Sequence, residues 1–392
     1  MTGKFSLSEK RSIAGLSVVI GLRMLGLSMI IPVFSVYAVK LQGSSVMLAG
    51  MAFGIYGLTQ AFLQIPFGYM SDRFGRKPVV AFGLLLFGVG SVICAVTTNI
   101  YILIAGRFLQ GGGAIASACF AWIADLTQES RRNTAMAFMG ISVGGGIVMG
   151  MISGPIIGGI FGAAALFWVA AGLSMTALYV TVWKLDEPQN NQRQNQPDFG
   201  MNPLNAIKMA GDPDLMRLNA TGFLVNVCMI STFFVVPLRI AEVFSMSELW
   251  KVYLPLSVFG GVAMMLSSRK ADKGSARGVI VGALTCLAVG YMIMYSAGNV
   301  WWTLSGFAIF FSAFSVLEAT LPAAVSKLAD PAQKGTIIGV YNMSQFSGTF
   351  AGGALAGALT GTMESEIFII LAVASIIAAV AMSGAKKLKP AV

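Results

Sequence analysis

Three ionisable residues lie deep inside apolar stretches of this chain: Arg23, Arg107 and Glu318. A charge in hydrocarbon is costly and is retained where it faces a partner, a cavity or an ion pathway. Glu318 is the one acid far from either end of an apolar run. A carboxyl in a low dielectric favours its uncharged form and can cycle a proton near neutral pH. Its protonation can be coupled to binding of a second species, by competition or by weakening a pair with Arg23 or Arg107. The plainer reading has Glu318 neutralise a buried arginine. Arg107 and Gln110 stand three residues apart, on one face of a helix. Asn226 and Asn342 are polar candidates for the same cavity, with Gln60, Gln64, Asn219 and Gln345; each can equally serve as hydrogen-bonding glue between helices.

A second chemical cluster is the run from Gly68 to Pro78, with Asp72 and Arg73 set between Gly68 and Gly75 and Arg76 and Lys77 just after. Long apolar runs flank it on both sides. The glycines allow a tight turn, and Asp72 with the arginines can form charge-assisted hydrogen bonds across a seam between two halves of the protein. The plain alternative is ordinary loop charge.

These residues need elements to position them, and composition says what kind. Of 392 residues, 56% are hydrophobic and 11% charged, and mean hydropathy is +0.78. Soluble domains carry about 25% charged residues, so the solvent for this chain is lipid. Glycine (46 residues) and methionine (23) are abundant; small residues let membrane helices approach closely. The runs are long and continuous, which excludes a membrane β-barrel with its short alternating strands.

A helix needs about 20 apolar residues to cross the hydrocarbon core. Twelve segments meet this, at roughly 12–38, 46–70, 78–98, 100–125, 133–160, 163–184, 215–238, 249–268, 277–297, 299–326, 335–360 and 365–384. The basic N-terminus (Lys4, Lys10, Arg11) precedes a run too long for a cleavable signal peptide, so a first span is expected there. If that terminus is cytoplasmic, 21 Lys and Arg fall on the cytoplasmic side and three (Lys40, Arg239, Lys251) on the other. This is the positive-inside pattern, with both termini cytoplasmic. It also accounts for the net charge of +10 without nucleic acid as a partner. The cysteines (Cys94, Cys119, Cys228, Cys286) all lie in apolar runs with no CxxC pair, and histidine is absent. They read as small buried hydrophobes. No nucleophile, metal set or phosphate-binding loop is evident, and Gly111-Gly112-Gly113 falls mid-span. No enzyme activity, metal or cofactor is therefore expected.

One long polar segment, 186–214, is rich in Asn, Gln and Pro and reads as a linker. Its later part, 199–209, can form a short amphipathic surface helix. It divides the chain into a six-span bundle at 1–185 and another at 215–392. The halves look related. Asp72-Arg73 recurs as Asp272-Lys273. Thr134, Ser142, Gly146 and Gly150 recur at one offset as Thr336, Ser344, Gly348 and Gly352. The expected fold is all-α, with twelve transmembrane helices in two pseudo-symmetric six-helix halves. Such repeats place a substrate site at their interface.

Gly68, Asp72, Arg73, Gly75, Arg76 and Lys77 match the pattern G-x-x-x-D-R-x-G-R-K, and the chain thereby resembles the major facilitator superfamily. The likeness extends over the whole chain. Leu103, Arg107, Gln110, Gly111, Gly113 and Ala114 resemble the family's second motif. Gly150, Gly154, Pro155, Gly158 and Gly159 resemble the motif associated with antiporters, although a generic packing motif is the alternative. Leu355-Ala356, read as the equivalent place in the second half, lacks the Gly-Pro pair. Local stretches such as Gly21 to Gly26, Gly54 to Gln60, Gln64 to Gly68, Leu317 to Ala319 and Gly339 to Tyr341 look like the YajR-type bacterial inner-membrane transporters, which are similar to drug:proton antiporters. Those carry a soluble domain after the twelfth span, and this chain is expected to lack it and any regulation it gives.

The resemblance implies a monomeric secondary transporter of the inner or plasma membrane, embedded in the lipid bilayer. It implies alternating access, with protons and a small molecule as partners. It also implies that the signature loop latches an outward-open state, with Asp125 as a partner. The reading this favours is proton-coupled export of hydrophobic or cationic molecules through a permissive cavity rich in aromatic residues and methionine. The alternative is a specific metabolite importer or facilitator that holds an anionic group with Arg23 or Arg107.

Overall fold

The structure is a computed structural model and describes residues 6–187, 212–296, 298–329, 334–361, 363, 365–386 and 388. The candidate surface helix and most of the expected linker lie outside the described residues. The rest is helical: α1 (Leu7–Ser28), α2 (Phe34–Ala38), α3 (Val46–Arg73), α4 (Arg76–Val96), α5 (Ile100–Gly111), α6 (Ala116–Leu126), α7 (Glu129–Phe161), α8 (Ala163–Lys184), α9 (Pro213–Ile240), α10 (Trp250–Lys270), α11 (Ala276–Tyr295), α12 (Val300–Leu328), α13 (Lys334–Leu359) and α14 (Glu366–Ser383).

Two crossing segments are each made of two helices. In the first, Pro32 withholds a backbone donor, and a short 3-10 turn joins α1 to α2. In the fourth, three consecutive glycines give little helical propensity, and the chain leaves helical form between α5 and α6. The break abuts α4: a Cβ on Gly113 would lie 2.9 Å from that of Phe87.

Among the described residues, eleven segments are long and apolar enough to cross a membrane. The twelfth, α13, is less apolar because it carries Tyr341, Asn342, Ser344 and Gln345 among glycines. Its 26 residues still extend about 39 Å at 1.5 Å per residue, more than the roughly 30 Å of hydrocarbon.

The chain folds as two compact units. One comprises Met1–Ser44, Phe62–Asp198 and Met246–Trp250; the other comprises Ser45–Ala61, Phe199–Ser245 and Lys251–Val392. The core of the first is mostly aliphatic: Leu16, Val19 and Ile20 of α1, Leu84 of α4, Ile123 of α6 and Leu185 surround the fully buried Trp122. The core of the second is aromatic. Phe233 of α9 meets Tyr253 of α10 and Phe307 and Phe311 of α12, with ring centroids 5.6–6.2 Å apart. Such pairs contribute about 0.5–1.5 kcal/mol each beyond burial.

The repeat inferred from sequence is visible in the packing. In the first unit α7 rides on α1, and Cβ atoms on Gly146 and Gly150 would lie 2.6 Å from the Gly21 carbonyl oxygen and 2.9 Å from that of Leu25. In the second unit α13 rides on α9. A Cβ on Gly348 would press on the Phe223 carbonyl, and one on Gly352 would lie 2.6 Å from the Val227 carbonyl oxygen. Phe223 and Val227 stand at the same offset from Gly21 and Leu25 as Gly348 does from Gly146. A serine hydroxyl crosses each seam: Ser28 donates to Gly146 O at 3.2 Å and Ser231 to Gly352 O at 3.0 Å. This offset corrects one alignment. Ala356-Gly357, not Leu355-Ala356, is the counterpart of Gly154-Pro155, so the second half keeps a small residue and lacks only the proline. The weaker echo of the signature loop, Ala271–Ser275, is a π-helical turn between α10 and α11; Gly274 has φ +91°, close to the +103° of Gly75.

Lipid supplies no hydrophobic drive for helices to associate, so close backbone contact must. Gly150→Val is expected to lower the stability of the purified protein by about 1–3 kcal/mol, read as a drop in thermal midpoint. Gly144→Ala, where a Cβ meets nothing within 4 Å, is expected to leave that midpoint unchanged or raise it.

Candidate functional site

The first unit holds Arg23 on α1 and Arg107 on α5, both directed at one turn of α4. Arg107 is 2% exposed. Its Nη1 donates to Gln110 Oε1 at 2.8 Å, Gln110 Nε2 donates to Ser91 Oγ at 2.7 Å, and Ser91 donates to the Phe87 carbonyl at 2.7 Å. The guanidinium carbon also lies 5.2 Å from the centre of the Phe34 ring, while that of Arg23 lies 5.9 Å from the Phe87 ring. The Phe87–Ser91 turn therefore serves both cations, one through a ring face and the other through a hydrogen-bond relay. Arg23 is also buried. The three-residue spacing of Arg107 and Gln110 is used as the sequence suggests; Ser91 was not foreseen, because only folding brings α4 against α5.

The signature loop is organised around Arg76, which is buried although it starts a helix. Its guanidinium pairs with Asp72 one turn back, with Asp125 at the end of α6 at 2.9 Å, and with Ser71 Oγ at 2.7 Å. Its own backbone N–H and that of Lys77 donate to the two carboxylate oxygens of Glu187, at 2.7 and 2.8 Å. Lys77 Nζ reaches the Leu185 carbonyl at 2.8 Å. Arg73 stands apart: it is exposed, with its guanidinium carbon 5.6 Å from the Phe74 ring centre. Gly75 is needed for its positive φ, and Gly68 supplies the carbonyl that accepts from Ser71 at 2.8 Å. Asp72, Arg76, Lys77 and Asp125 thus come together within the first unit, and Ser71 and Glu187 join them.

The antiporter-like stretch has two duties within the first unit. Gly150 and Gly154 seat α7 on α1. Beyond Pro155, a Cβ on Gly159 would lie 2.5 Å from Ser247 Cα, so the end of α7 packs on the 3-10 turn Met246–Glu248. Gly158 lies beside Leu166 of α8.

Glu318 belongs to the second unit, with Asn226, Asn342 and Gln345. It is accessible, and its position on α12 says to what. The exposed Ser305 and Ala323 mark one ribbon of that helix. At 3.6 residues per turn, Glu318 points about 140° away from it. Glu318 therefore turns from the outward face of α12 toward α13, where Gln345 Nε2 approaches its two oxygens at 3.4 and 3.5 Å. One turn along, Thr349 donates to Asn226 Oδ1 at 3.4 Å, and Asn226 donates to Gly222 O at 3.1 Å. Asn342 is half-buried on the same helix as Gln345. Gln60 and Gln64 are buried in α3. Among the described residues, no group of three or more Cys, Asp or Glu is gathered as for a metal.

Helices that cross a membrane in two related halves, with cations and a carboxylate retained inside them, define a multi-pass membrane transport protein. The chain belongs to the Major Facilitator Superfamily, whose family model matches residues 16–353. It is 40% identical over 367 residues to the inner membrane transport protein YajR of Escherichia coli (strain K12), covering 93% of this chain and 80% of that one. It is 27% identical over 312 residues to the class C tetracycline resistance protein of Escherichia coli, covering 74% of each. Among solved structures, the nucleoside transporter NupG (D323A mutant) superposes with a TM-score of 0.78 at 13% identity, over 95% of this chain and 99% of that one.

Because Gln110 links Arg107 to α4, Gln110→Leu is expected to destabilise the purified protein by about 1–3 kcal/mol, and Ser91→Ala by roughly 1 kcal/mol. Thermal unfolding of the detergent-solubilised variants reads both.

Proposed function

We propose that the protein is a secondary active transporter that works by alternating access and exports small hydrophobic or cationic molecules in exchange for protons. The observation that carries this reading is Glu318, an accessible carboxyl in mid-span, turned away from the outward ribbon of its helix and met by an amide on α13. A carboxyl so placed can bind either a proton or a cation, and that competition is the simplest coupling. A relative named for tetracycline resistance supports export of drug-like molecules. The positive-inside pattern supports cytoplasmic termini, a relative named as an inner membrane transport protein supports an inner- or plasma-membrane location, and we take the protein as a monomer with 186–214 as a linker between the halves.

In this reading Arg23 and Arg107 serve the transport path within the first unit, with Gln110 fixing Arg107, and Asn226, Asn342 and Gln345 accompany Glu318 in the second. Gly150, Gly154, Pro155, Gly158 and Gly159 give α7 the close fit an exchanger needs. The import reading requires an arginine free to grip an anion, and the burial of both arginines against α4 favours export over it.

Asp72, Arg76 and Asp125 serve as a conformational latch for the outward-open state, with Gly68, Arg73, Gly75 and Lys77 shaping the loop around them.

A ligand-stabilisation screen of the purified protein supplies the transported probe. In proteoliposomes, Glu318→Gln is expected to abolish flux of that probe driven by a pH gradient, while the protein stays folded. Unchanged pH-driven flux rules out Glu318 as the proton carrier. Asp72→Asn is expected to shift the resting population toward inward-open. Spin-label distances between the two halves check this, and an unaltered distribution rules out the latch.

A further inference from the structure

Glu187 follows α8 and opens the segment that joins the two halves. Its carboxylate spans the first turn of α4, taking the Arg76 N–H on one oxygen and the Lys77 N–H on the other. These are donors that no helix can satisfy internally. A carboxylate at a helix N-terminus also gains from the helix dipole. The fit is specific. Gly75 has φ +103°, and a Cβ there would lie 2.8 Å from Glu187 Oε1, so the glycine both makes the turn and leaves room for the carboxylate. The neighbouring backbone is held as well: Leu185 is buried in the core, its carbonyl accepts from Lys77 Nζ, and the Asp186 carbonyl accepts from Trp122 Nε1 at 3.3 Å.

We propose that Glu187 is a positioning residue of the signature loop: by clamping the main chain at Arg76 and Lys77 it sets the direction in which Arg76 presents its guanidinium to Asp72, Ser71 and Asp125. The same residue bonds to Glu187 through its backbone and to two carboxylates through its side chain. Rotation of the first turn of α4 would therefore break both sets together. A further consequence is that the joining segment is fastened to this cluster at its second residue.

The test uses the full chain in detergent or nanodiscs, with Glu187→Gln, Glu187→Asp, Asp125→Asn and the Glu187→Gln/Asp125→Asn pair. Hydrogen exchange of the Arg76 and Lys77 amides reads the clamp directly. Glu187→Gln is expected to speed it by about tenfold or more, given the strength of hydrogen bonds to a charged acceptor, and Glu187→Asp is expected to restore part of the protection. Thermal unfolding then closes a double-mutant cycle. Positioning of Arg76 predicts that the effects of Glu187→Gln and Asp125→Asn do not add. Unchanged exchange overturns the clamp; faster exchange with additive unfolding effects overturns the positioning role. Spin-label distances on the same variants keep the latch reading separate: if Asp125→Asn leaves them unmoved, the latch fails, while the cycle still decides the role of Glu187.

Discussion

Close backbone contact between α1 and α7, and again between α9 and α13, is the constraint on which the rest of the structure depends. Lipid removes the hydrophobic drive that packs helices in water, so contact has to come from shape and from polar groups that reach across. Gly146 and Gly150 remove side chains where carbonyls of α1 must pass, and Ser28 adds a hydrogen bond at the same seam. The second unit repeats both devices with Gly348, Gly352 and Ser231. With these pairs fixed, the remaining helices pack around them, on an aliphatic core in one unit and an aromatic core in the other.

The charges follow from that frame. Buried cations need partners that do not demand a matching buried anion, and α4 provides them with a ring face for Arg23 and an amide–hydroxyl relay for Arg107. At the end of the same helix the logic reverses. Arg76 sits where water is near, and there carboxylates gather around it. One helix therefore organises the interior cations at its middle and the acidic cluster at its start. Glu318 stands outside this scheme, on a helix of the other unit, with the Gln345 amide as a polar companion.

Much of this was legible in the sequence, for definite reasons. Apolar runs of membrane length report helices because lipid leaves the backbone no other way to satisfy its hydrogen bonds. The single offset linking Gly146 to Gly348 reported the repeat because helix contacts fix register. Arg107 and Gln110 were readable because three residues along a helix is a contact distance. What stayed hidden depends on distance along the chain. Ser91 meets Gln110 only after α4 and α5 pack, and Glu187 is 111 residues from Arg76. The acidic pair Asp186-Glu187 straight after Leu185 was the available signal, and composition alone assigned it to the linker. The run Gly111 to Gly113 marked a span without revealing that the helix breaks there. Nor could loop charge alone separate Arg76, which turns inward, from Arg73, which does not.

The repeated glycine seams also constrain how such a chain can have arisen. Gly21 to Gly146 and Phe223 to Gly348 are equal intervals, and each covers five crossing segments. Between those fixed points the copies have slipped: Gly75 and Gly274, the left-handed glycines of the two loops, stand at a shorter offset than the seams do. If the halves descend from a duplicated gene, residues lost before the second loop were regained after it, leaving the seams in phase. Selection on such a duplication acts on the running total of insertions and deletions between paired helices, and leaves the loops free to drift.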